Sequence, residues 1–107
     1  MTDPAEELSP FAAPALLVMA TLADGPKHGY AMMQEAERMT GQDLGPGTLY
    51  AALARLERRG LIEAVPSEDR RRPYRLTALG ATSLEAHLSQ LERFARGALR
   101  RLQRGAT

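Results

Sequence analysis

The sequence predicts a mainly α-helical chain with one small β-hairpin, and three observations predict it. Apolar residues recur at helical spacing in four separate stretches. That period breaks once, after Gly60, into two short β-compatible runs around a charged loop. The residues after Thr77 then carry a sustained apolar seam. At 107 residues and 44% hydrophobic, the chain can bury one core. The organisation expected is a domain over residues 1–77 with a loose, acidic N-terminal arm, followed by a single helix over 78–107.

The elements follow in order. Ser9-Pro10 reads as an N-cap followed by Pro at the first helical position. Phe11, Ala15, Val18, Met19 and Leu22 recur at helical spacing, so the first helix is expected over 10–23. Pro14 would remove a hydrogen bond from a helix begun at Pro10, which moves the regular part nearer to 13. Asp24-Gly25-Pro26 ends it. The second helix is expected from His28 or Gly29 to Met39, with Tyr30, Met32, Met33, Ala36 and Met39 on its apolar face and the methionines as core filler. Thr40-Gly41-Gln42-Asp43 is a short turn. The third helix starts near Pro46, carries Leu49, Leu53 and Leu56 as its buried stripe, and stops at Gly60. Leu61–Val65 and Tyr74–Leu76 are the two strands, with Arg70, Arg71 and Arg72 near the tip of the loop between them. Thr77 caps the last helix. There Leu84, Leu88, Leu91, Ala95, Ala98 and Leu102 are spaced 4-3-4-3-4, a coiled-coil-like seam with Phe94 and Leu99 beside it. With a core already supplied by the other helices, that seam calls for a second chain. This element order is that of a winged helix-turn-helix with an appended dimerisation helix.

Composition removes several function classes. There is no Cys, so no disulfide, thiolate metal site or Cys nucleophile is available. No apolar run approaches the roughly 20 residues of a membrane span. The acidic start lacks the basic region of a signal peptide, and a cytoplasmic location is expected. The formal net charge of +1 hides an asymmetry: residues 1–43 hold seven acids against Lys27 and Arg38, whereas 44–107 hold twelve Arg against six acids. Guanidinium groups suit bidentate contact with phosphate and guanine, and a solvated Arg-rich surface is the plain alternative.

On the third helix the face opposite the leucines is expected to present Gly47, Thr48, Ala51, Ala52, Arg55 and Arg59, with Tyr50 at its boundary. Small residues let a helix backbone approach base edges in a major groove about 12 Å wide. The alternative is an ordinary amphipathic helix. Arg70–Arg72 on an exposed turn can track phosphates or enter a minor groove, or form a solvated charge run partly neutralised by Glu68 and Asp69.

Three segments resemble one family. Gly25-Pro26-Lys27-His28-Gly29-Tyr30, then Gly45-Pro46-Gly47-Thr48-Leu49-Tyr50-Ala51-Ala52-Leu53 with Leu56-Glu57 and Gly60-Leu61-Ile62, then Tyr74-Arg75-Leu76-Thr77-Ala78-Leu79-Gly80 are similar to the corresponding stretches of PadR-type transcription regulators. The resemblance covers about residues 11–105, and the length resembles the short subfamily with one C-terminal helix. The resemblance implies a sequence-specific, homodimeric, ligand-responsive repressor that binds a pseudo-palindromic operator. In it the third helix enters the major groove, the hairpin acts as a wing, and Tyr30 contacts phosphate or packs between the first two helices. Two departures stand out. Gly45 replaces a frequent Ser cap, which leaves either Asp43 as the cap or the helix start uncapped, and Ala51 replaces a frequent Pro. Members that stack planar drugs use a Trp on the last helix, where this chain has Leu91 and no Trp. Another small-molecule inducer is compatible with the sequence.

No catalytic constellation can be assembled from two His, no Cys and scattered Ser, so an enzyme is not expected, nor is a cofactor. His28, at a helix start, reads as a capping or packing residue. His87 lies beside the seam, and two such ligands across a two-fold axis make a poor metal site. A winged helix serving as a protein-interaction module is the alternative function. The Arg residues of the last helix also admit a membrane-surface reading, which the seam's spacing disfavours.

Overall fold

The computed structural model describes residues 13–68 and 70–106. Four helices and one hairpin follow in the order α1 (Pro14–Thr21), α2 (Gly29–Thr40), α3 (Pro46–Arg58), β1 (Ile62–Ala64), β2 (Tyr74–Leu76) and α4 (Ala78–Gly105). The expected cap and first turn at Ser9–Phe11 lie outside the described residues. Pro14 occupies the first turn of α1, where a missing N–H costs no intrahelical bond. The helix ends at Thr21, two residues short of the expected end, in a turn where the Leu22 N–H donates to the Met19 carbonyl at 3.1 Å.

α1 is apolar around most of its circumference. Leu17, Val18, Met19 and the neighbouring Leu22 are all buried, so α1 is the central rod against which α2, α3 and α4 pack. Leu17 was not on the expected face. Thr21 is fully buried and donates its hydroxyl to the Val18 carbonyl at 2.7 Å, which removes the cost of burying it.

α2 contributes Met32 and Ala36 to the core. Two expectations for this helix are corrected. Tyr30 is 67% exposed and does not pack between the first two helices. Met39 is 46% exposed and is not core filler. The ~100° turn per residue places Tyr30 nearly opposite Met32. Met39 points the same way as Met32, but the contribution of α2 to the core stops at Ala36. Gly41, at φ 74, ends the helix in the left-handed region.

α3 buries Leu49, Leu53 and Leu56 as expected. Ala52, expected on the outer face, is buried too: its direction lies within about 60° of Leu49 on the helical wheel. The loop residue Leu44 joins the same core. The N-cap is Gly45 and makes no side-chain capping bond, so Asp43 does not take that role. The C-terminus closes with the paired bonds of a Schellman motif. Gly60 N–H donates to the Glu57 carbonyl at 3.0 Å and Leu61 N–H to the Leu56 carbonyl at 3.0 Å, with Gly60 at φ 72.

The strands pair antiparallel with Ile62 opposite Leu76 and Glu63 opposite Arg75. Ile62 faces the core, while Glu63 and Arg75 pair on the open side at 2.8 Å. One further bridge was not expected. Lys27 exchanges both backbone bonds with Tyr74, at 3.1 and 3.0 Å, so the segment before α2 lies along the free edge of β2. The Lys27 side chain pairs with Asp24 and holds that carboxyl below its ordinary value by hydrogen bond and charge.

Two residues join the hairpin to α4. Thr77 accepts from the Gly80 N–H at 3.0 Å as the helix cap, and its hydroxyl donates to the Gly60 carbonyl at 2.6 Å. Gly80 lies so close to Leu61 that an added Cβ would stand 1.9 Å from the Leu61 carbonyl oxygen. The first turns of α4 are thereby held against the end of α3, and Leu84 is buried there. Its 28 residues span about 42 Å, well beyond the core.

Candidate nucleic-acid interface

The outer face of α3 is built by subtraction. Its buried residues occupy one side of the wheel, which leaves Gly47, Thr48, Ala51, Arg55 and also Ala54 and Arg58 exposed. At ~100° per residue the centre of that face is formed by Gly47, Ala51, Ala54 and Arg58. Arg58 and Ala54 were missed in the sequence, although the leucine stripe fixes their direction. The Arg side chains cluster at the C-terminal half, where the helix dipole favours cations. Arg59 follows the helix as its cap residue and is exposed. The N-terminal half offers a smooth surface of Gly47, Thr48 and Ala51.

Tyr50 sits on the flank of this face and is 58% exposed. Its hydroxyl lies over the first residue of α2: a Cβ added to Gly29 would meet the Tyr50 oxygen at 3.2 Å and a Leu49 methyl at 3.3 Å. Glycine at 29 thus lets the start of α2 approach α3. The hairpin brings a third element to the same place. A concavity of about 710 Å³ is lined by His28, Gly29 and Tyr30 from the start of α2, Tyr50 from α3, and Arg70, Arg71, Arg72 and Tyr74 from the hairpin. Five of the expected contact residues, Tyr30, Tyr50 and Arg70–Arg72, therefore share one site. Gly47, Thr48, Ala51 and Arg55 lie outside it on α3, as does Arg59 just past the helix end.

His28 and Tyr74 join this site without having been expected there. Their signal is topological, because the bridge between Lys27 and Tyr74 draws the turn before α2 onto the hairpin. His28 is the N-cap residue of α2 but makes no side-chain capping bond, and its buried Nδ1 has no hydrogen-bond partner among the described residues. Neither His28 nor any other side chain caps α2. The first-turn N–H groups of the helix thus present partial positive charge beside three guanidinium groups and two exposed tyrosine rings. Such a surface suits an extended polyanion.

On α4 the expected seam divides. Leu84 is covered by the chain's own core. Leu88, at 43% exposure, and Leu102, at 69%, are open, as is Ala95; Leu91 and Ala98 are half-buried. The apolar surface available to another chain therefore begins at Leu88. His87 is exposed beside it.

Three helices on one core, a two-stranded wing and a projecting final helix define a winged helix-turn-helix of the transcription-regulator class. The Transcriptional regulator PadR-like family matches residues 18–86, from α1 into α4. Transcriptional regulator Rv3488 of Mycobacterium tuberculosis is 38% identical over 91 residues, which cover 82% of this chain and 84% of that protein. The Uncharacterized 37.1 kDa protein in transposon TN4556 of Streptomyces fradiae is 45% identical over 78 residues, 73% of this chain. The chain spans only 23% of that longer protein. The solved PadR family transcription regulator of hypervirulent Clostridium difficile R20291 superposes with a TM-score of 0.69 at 28% identity, covering 83% of this chain and 96% of that one. The chain belongs to the PadR-like family of transcriptional regulators. Regulators of this family bind DNA and are not enzymes. Among the described residues no helix is long and apolar enough to cross a membrane.

Proposed function

We propose that this protein is a homodimeric, ligand-responsive repressor that acts in the cytoplasm on a pseudo-palindromic operator. The observation that carries the DNA part is the shared concavity, which sets the start of α2, Tyr50 and the Arg70–Arg72 wing beside the small-residue face of α3. In this reading α3 enters the major groove. Gly47, Thr48 and Ala51 bring its backbone near the base edges, and Arg55 reaches guanine or phosphate. Tyr30, Tyr50 and the wing hold the phosphodiester strand alongside, and Arg59 adds charge at the far end of the helix.

The seam Leu88, Leu91, Ala95, Ala98 and Leu102, exposed or half-buried in the single chain, supports the dimer, since five leucines and alanines in heptad order are seldom left to solvent. Two copies about a two-fold axis require two half-sites, which is the physical meaning of a palindromic operator. Release by a small-molecule inducer rests on the family resemblance. With no Trp in the chain, such an inducer is not held by stacking on an indole.

The test is a gel-shift titration of the purified protein against the DNA upstream of its own gene, repeated across a salt series. Tight binding to one segment that weakens steeply with salt supports the proposal. No preference for any segment, together with a protein partner recovered in pull-down, replaces it with the protein-interaction reading.

A further inference from the structure

The far half of α4 carries a feature that neither the core nor the seam uses. From Arg93 to Thr107 the sequence holds Arg93, Arg96, Arg100, Arg101 and Arg104 and no acidic residue. At ~100° per residue, Arg93, Arg96, Arg100 and Arg104 all fall within about 60° of the direction opposite the apolar seam. All four are exposed. They form a ridge about 16 Å long, with one cation per turn. Arg96 pairs with Glu92 at 2.6 Å, while Arg93 and Arg100 form no ion pair among the described residues. The helix dipole accounts for cations in the last turn only, so it explains Arg104 and leaves Arg93, Arg96 and Arg100 unexplained.

We propose that this ridge is a second, sequence-independent docking face for duplex DNA, so that the protein holds a second DNA segment away from its recognition face. The inference rests on the DNA-binding reading above. Charge complementarity selects the occupant: a row of four guanidinium groups, in which Arg96 is paired with an acid, Glu92, matches a phosphate backbone. A membrane-surface helix must insert the apolar face opposite its basic one, and in this chain that face is the seam, which the proposed dimer covers. With the seam closed in a dimer, the ridge faces outward on both protomers, and two rows of cations are available.

The probe is a 40-base-pair duplex of random sequence, with the full-length protein and the variant carrying Arg93→Gln, Arg96→Gln, Arg100→Gln and Arg104→Gln. Gln keeps helix propensity, and circular dichroism and sedimentation confirm an unchanged fold and association state. A second background carries Arg70→Gln, Arg71→Gln and Arg72→Gln on the wing. The expected result is that the wing background still binds the random duplex, and that adding the α4 substitutions lowers that affinity by roughly tenfold or more and reduces the salt slope by about 3. Bead-bound duplex should capture a second, labelled duplex through wild-type protein and not through the α4 variant. Equal affinity, slope and capture with and without the α4 arginines overturns the inference while leaving operator binding intact. Loss of pelleting with phosphatidylserine vesicles in the α4 variant, without any change in DNA binding, also overturns it and assigns the ridge to an anionic membrane surface. Failure of the wild-type protein to bind any duplex overturns both this inference and the function proposed above.

Discussion

Gly29 and Gly80 look alike in the sequence, and their surroundings separate them. At Gly80 an added methyl would stand 1.9 Å from the Leu61 carbonyl oxygen, and backbone cannot swing aside. Gly80→Ala should therefore destabilise the protein by about 2–3 kcal/mol through overpacking, read as a lowered midpoint in thermal unfolding. At Gly29 the close atoms are the tip of Tyr50 and a Leu49 methyl, at 3.2 and 3.3 Å, and the Tyr50 tip can move. Gly29→Ala should leave the unfolding midpoint within a few degrees and weaken DNA binding by displacing the Tyr50 hydroxyl. An unchanged affinity would remove Tyr50 from the contact surface. Arg55→Ala belongs to the same scale: it should cost about 1–3 kcal/mol in operator binding and relax base preference at one position. Competition against single-base operator variants measures both.

At the scale of elements, the wing and the recognition helix are expected to behave differently. Replacing Arg70, Arg71 and Arg72 by Ala removes charge without removing a base reader. Affinity should fall by a similar factor for operator and random duplex, and the salt slope should flatten by up to about 3. A selective loss of operator binding alone would place base contacts on the wing. Much of this level was legible in advance. Prolines at 14 and 46, glycine at 60 and threonine at 77 act through local backbone geometry, so the boundaries of α3 and the start of α4 can be read from short segments. The faces were harder. Ala52 and Ala51 are adjacent and chemically identical, and their directions on the wheel separate them: Ala52 lies within about 60° of Leu49 and is buried, while Ala51 is exposed. Met39 was misplaced for a different reason: an apolar side chain states a preference for burial, and the neighbours decide whether it is met.

At the scale of the whole molecule the open seam is the dominant feature. Leu88→Glu with Leu91→Glu should yield monomers and abolish tight operator binding, because each monomer retains a single half-site. Sedimentation equilibrium checks the first outcome and gel shift the second. Wild-type association in that variant would refute the seam. Leu84→Glu is a useful contrast, since Leu84 lies in the chain's own core and its loss should lower stability itself.

The sequence by itself determined the element order, the boundaries of α3 and the start of α4, the family and the separation of charge between the two halves of the chain. These depend on local backbone preferences and on periodicity, which are properties of short segments. Only the tertiary structure decided that His28 and Tyr74 belong with Tyr50 and the arginine wing, and that Leu84 belongs to the core. Each of those depends on an approach between segments distant in the chain: Lys27 bridging to Tyr74, and α4 held against α1 and, through Gly80, against Leu61. Such approaches are set by the shared core, where all segments compete for the same buried volume, and no single segment encodes the outcome.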